Sequence, residues 1–98
     1  MSTITRHSAS EAQTYVYSMK DVSNAEDWEV LHVKGASSVP LIDLISDVSL
    51  VSEGDVLYCG NGHKSMAAAS FLKIKGVNVT DIIGGLSAML VEAPDLEI

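Results

Sequence analysis

The residues with the most chemistry in this chain stand together, as Cys59-Gly-Asn-Gly-His-Lys-Ser65. Cys59 is the only cysteine. A thiolate is a strong nucleophile, but an ordinary cysteine is only about 3% ionised at pH 7. Raising that fraction takes hydrogen-bond donors and nearby cations. Gly60 and Gly62 let a loop curl so that successive main-chain N–H groups point inward, and the free N–H groups of a following helix join them. An exposed helix N-terminus alone contributes about 0.3–1 kcal/mol. That is less than one tenfold step in ionisation, which takes about 1.36 kcal/mol. Several donors and a cation must therefore act together. His63 and Lys64 supply the candidate cations, and Ser65 is expected as an N-cap or first-turn residue in a supporting role. The chemistry expected here is nucleophilic attack by Cys59 inside a cradle for a small anion. His32, far away in sequence, is a candidate base, but it reads more simply as a residue capping or bridging two loops.

Such a loop needs a strand to deliver the cysteine and a helix to receive the serine. Val56-Leu-Tyr-Cys59 is a short apolar run after the Gly54-Asp55 turn, the pattern of a buried strand. Ser65 to Lys75 has strong helix formers, with lysines in the last turn and Gly76 as a stop. Val77 to Ile83 reads as another strand. Strand, helix, strand is a βαβ unit, with parallel strands and a right-handed crossover. Upstream, 1–13 is expected as a loose polar arm or a short helix, Thr14–Met19 as a strand, and Ala25–Leu31 as helical turns. A short extended piece is expected at Ser38-Val39, and Leu41–Leu50 as an amphipathic helix. Gly84-Gly85 should turn the chain into a helix over Leu86–Val91, followed by a mobile acidic tail over 92–98. The fold class is α/β, a small mainly parallel sheet with helices on both faces, and 1–98 is expected to form a single domain.

Composition narrows the partners. The apolar fraction is 47% and the charged fraction 19%, ordinary for a globular chain. Thirteen acidic and six basic side chains give a net charge of −7, which repels phosphate backbones and anionic lipid. Nucleic acid and membrane are not expected as partners. A lone cysteine forbids an intramolecular disulfide, offers no clustered zinc site and suits a reducing compartment. There is no apolar signal segment at the start and no run of about 18 apolar residues, so the expected location is cytoplasmic. Arg6 is the only arginine.

From about Asp21 to Met89 the sequence resembles the rhodanese-homology family, specifically its small single-domain sulfurtransferases. The resemblance rests on Asp21-Val22, Trp28, His32-Val-Lys-Gly35-Ala36, Pro40-Leu41, the Cys59–Ser65 loop and Gly84-Gly85-Leu86, in order. It implies that Cys59 takes the outer sulfur of a donor such as thiosulfate as a persulfide. The N–H groups of Gly60, Asn61, Gly62, His63, Lys64 and Ser65 would cradle it. A thiol, cyanide-like or protein acceptor then removes the sulfur, in two half-reactions without metal or organic cofactor. The family's arginine after the Asp-Val pair is Ser23 here. Two other readings share the fold. One is a binding or sulfur-relay module that does not use Cys59 for turnover. The other is a phosphatase, which needs a longer loop closed by an arginine that grips phosphoryl oxygens bidentately. Lys64 and Ser65 occupy the relevant positions.

Overall fold

Five short strands form one sheet in the computed structural model, which describes residues 4–98. They are β1 (Thr5–His7), β2 (Met19–Asp21), β3 (Ser37–Ser38), β4 (Val56–Tyr58) and β5 (Thr80–Ile82). Their order is β1-β5-β4-β2-β3, and every neighbouring pair is parallel. Parallel neighbours cannot be joined by tight hairpins, so the chain must cross a sheet face between them. The helices α1 (Ala25–Val30), α2 (Leu41–Ser46), α3 (His63–Ile74) and α4 (Gly85–Glu92) supply the cover, with a 3₁₀ segment over Ala9–Ser18. The expected α/β architecture is the one observed.

Alternation along β4 divides the core. Val56 and Tyr58 point to one face and pack with Met19, Ile82, Leu86 and Met89. Leu57 and Cys59 point to the other, among Leu44, Ala68, Ala69 and Leu72 of α2 and α3. A central parallel strand is covered on both sides, which is why its sequence is continuously apolar. The same alternation carries Cys59 off the strand end on the α3 side.

Three expectations need correction. The arm over 1–13 is not loose in its described part: Thr5, Arg6 and His7 pair with Thr80, Asp81 and Ile82. The part of that expectation covering 1–3 lies outside the described residues. Thr14 to Ser18 is 3₁₀ helix rather than strand, and the strand begins at Met19. Ala9 and Ala12, one 3₁₀ turn apart, are buried in the α4-side core while Tyr17 is fully exposed. Tertiary packing of two small residues overrides the β propensity of Tyr-Val-Tyr. The acidic tail is docked: Leu96 is buried, and the Lys34 N–H donates to the Glu97 carbonyl at 2.9 Å. Lesser shifts are that α3 begins two residues early, at His63, and that α2 stops at Ser46, where Asp47 caps a 3₁₀ turn over Val48–Leu50.

Candidate functional site

Cys59 follows the last residue of β4, the central strand, and the chain turns at once into α3. The turn is made by Gly62, whose φ of +91° lies in the left-handed region that favours glycine. It brings two main-chain donors onto the sulfur: the Gly62 N–H at 3.2 Å and the Ser65 N–H at 3.4 Å from Sγ. The Ser65 hydroxyl oxygen is 3.7 Å from Sγ and the Asn61 side-chain oxygen 3.9 Å. Asn61 also accepts the His63 N–H at 3.0 Å, capping the start of α3. Of the six expected cradle residues, Gly62 and Ser65 thus reach the sulfur through N–H, and the His63 amide is spent on Asn61.

The loop is held from behind by α4. The Cys59 carbonyl accepts the Leu86 N–H at 2.8 Å, and the Gly60 carbonyl accepts the Ser87 N–H and hydroxyl, both at 3.0 Å. In a planar trans peptide the next N–H points the opposite way, so the Gly60 and Asn61 amides face away from α4. This contact needs glycines on both sides. A Cβ on Gly85 would lie 2.2 Å from the Cys59 carbonyl oxygen, and one on Gly62 would lie 2.9 Å from the Gly84 nitrogen.

Cys59 is only 2% exposed, yet it forms part of the wall of a cavity of about 460 Å³. Gly60, Asn61, His63, Lys64, Leu31 and Leu86 line it too, with the carboxylates Asp21 and Asp27. Lys64 Nζ donates across the mouth to the Asn24 side-chain oxygen at 3.3 Å, a neutral partner that leaves its charge uncancelled. Ser23, the residue after Asp21-Val22, gives both its N–H and its hydroxyl to the buried Asp21 carboxylate. His32 lies outside this cavity lining. It stacks on Trp28 with ring centroids 3.9 Å apart, and its Nδ1 meets the Trp28 carbonyl at 2.6 Å, so it caps the last turn of α1 and does not bridge two loops.

Two residues join the site that sequence spacing did not single out. Asp81, fully buried on β5, accepts the Ser65 hydroxyl on one carboxylate oxygen. Arg6, its partner in the β1–β5 register, donates Nε to the other at 2.8 Å. No spacing rule could find them, because 75 residues separate the pair. Only the β1–β5 pairing brings them together. Among the described residues no group of His, Cys, Asp and Glu is placed to hold a metal ion. No described helix is long and apolar enough to cross a membrane.

The sequence profile of the Rhodanese-like domain matches residues 7–92. A rhodanese-related protein from Thermoplasma volcanium superposes with a TM-score of 0.77 at 20% identity, covering 90% of this chain and 92% of its own. A rhodanese-like domain protein from Staphylococcus aureus gives 0.79 at 18% identity, covering 97% and 98%. At these identities the likeness is one of fold. A probable molybdopterin-synthase adenylyltransferase from Porphyra purpurea is 29% identical over 79 residues, 76% of this chain. The chain spans about a fifth of that relative's length, 21%.

Proposed function

Because the chain belongs to the rhodanese-like domain family, we propose that it is a sulfurtransferase that carries sulfane sulfur on Cys59. The observation behind this reading is a sulfur in the wall of a cavity, accepting the Gly62 and Ser65 N–H groups at 3.2 and 3.4 Å. Fixed dipoles aimed at an anion cost no reorganisation when charge arrives there.

In the first half-reaction the Cys59 thiolate attacks the outer sulfur of thiosulfate. The new S–S bond forms as the old one breaks, and sulfite leaves with the electron pair. The negative charge then rests on the terminal sulfur of a persulfide. In the second half-reaction a nucleophile such as cyanide or a thiolate attacks that sulfur, and the thiolate of Cys59 is regenerated. Lys64, at the mouth beside His63, offsets the surrounding acidic charge and favours entry of an anionic donor. The cavity also has room for an acceptor group borne on a protein. The relative from Porphyra purpurea carries its matching portion inside a much longer chain, which favours a protein acceptor. A phosphatase reading finds no support: the sole arginine is bonded to Asp81, and Lys64 is a point charge without a bidentate fork.

The test is intact mass after incubation with thiosulfate, with Cys59→Ser as control. We expect the wild type to gain one sulfur atom and lose it to cyanide. A wild-type chain that gains nothing would leave a binding module as the function.

A further inference from the structure

We propose that Asp81 is a positioning residue for Cys59. It fixes the direction of the Ser65 hydroxyl so that the sulfur anion is held by main-chain donors alone. The inference rests on Cys59 being the nucleophile of the proposed transfer.

Ser65 and Asp81 are both fully buried, between α3 and the sheet. A carboxylate only accepts, so in their hydrogen bond the hydroxyl must donate. A hydroxyl has a single hydrogen. The Gly62 carbonyl, 3.3 Å from the same oxygen, is a competing acceptor, but a bond to an ionised acceptor is roughly twice as strong as one to a neutral acceptor. With its hydrogen committed to Asp81, Ser65 turns lone pairs toward Sγ at 3.7 Å. It can accept from a neutral thiol, but it cannot donate to a thiolate. Arg6, with a side chain 35% exposed, supplies the counter-charge that a buried carboxylate needs. The remaining titratable groups near the sulfur are Asp21 from β2, Asp27 from α1, and His63 and Lys64 from α3, all lining the cavity.

The consequence is a sulfur whose anion is stabilised by two amides and not by a third, hydroxyl donor. Donors that stabilise a thiolate also blunt it: nucleophilicity falls as basicity falls, with a slope of about 0.4–0.5. Asp81 thus trades some ionisation for reactivity.

Asp81→Asn reverses the arrangement. Its side-chain oxygen must face Arg6, so its NH₂ faces Ser65 and donates, and the freed hydroxyl hydrogen turns to the sulfur. The experiment is the pH dependence of Cys59 alkylation by iodoacetamide on the full chain, with circular dichroism confirming the fold. Alkylation needs no sulfur donor, so this result stands apart from the thiosulfate test. In Asp81→Asn the midpoint should fall by about one pH unit. The plateau rate at high pH should fall about threefold. In a Ser65→Ala background the same substitution should move the midpoint by less than half as much. An unchanged profile, or an undiminished shift without Ser65, would overturn the proposal. Should Asp81→Asn fail to fold, proton NMR of the wild type decides. A slowly exchanging hydroxyl proton that vanishes in Ser65→Ala is expected, and its absence refutes the assignment.

Discussion

Gly85 sits against the Cys59 loop with no room for even a methyl group. Its φ is +60°, and a Cβ there would overlap the Cys59 carbonyl oxygen. Gly85→Ala should therefore push the loop off α4, slow sulfur loading at least tenfold, and cost about 1–3 kcal/mol. Loading followed by mass, together with urea unfolding, checks both parts. The Gly84-Gly85 turn was legible in the sequence, but its partner was not, because spacing along a chain says nothing about which loop a turn will back. The same holds for Arg6. It was visible as the sole arginine and lay too far from Cys59 to be assigned, whereas the Cys59–Ser65 loop was legible because every part of it is local.

Among elements, those whose signals are local were read well. β4 is a short apolar run between turns, and α3 has an alanine-rich centre with a glycine stop. The 3₁₀ segment is not legible in the sequence because its burial depends on α4, which lies far along the chain. The docking of the tail is not legible because its acidic composition conceals one buried side chain. Leu96 packs in the same core as Ala9, Ala12 and Met89. Leu96→Ala should cost about 2–3 kcal/mol, the lower part of the range for a buried leucine. Ile98→Ala, at an exposed site, should stay within about 0.5 kcal/mol of wild type. Urea denaturation followed by the fluorescence of Trp28 distinguishes the two.

For the molecule as a whole, one buried phenol links stability to alkali. Burial, with Asp21 beside it, pushes the Tyr58 hydroxyl well above its ordinary value, and the Val33 N–H it accepts at 2.9 Å opposes this only in part. A raised value means that the neutral form is favoured in the fold. Its stabilisation is complete below about pH 10, the ordinary tyrosine value, and is lost as pH rises beyond it. The urea midpoint of the wild type should therefore fall more steeply above pH 10 than that of Tyr58→Phe. At neutral pH the variant should be less stable by about 1–2 kcal/mol, because the Val33 N–H loses its acceptor.

The pairing of β1 with β5 also sets an order of events during synthesis. Thr5–His7 leaves the ribosome well before its partner, Thr80–Ile82. Until then the Arg6 guanidinium is without Asp81, and β4 lacks one neighbour. A chain stalled before residue 80 could display Cys59 and its glycines but would lack Asp81 and the α4 backing. Assembly of the reactive centre thus waits for β5 and the start of α4.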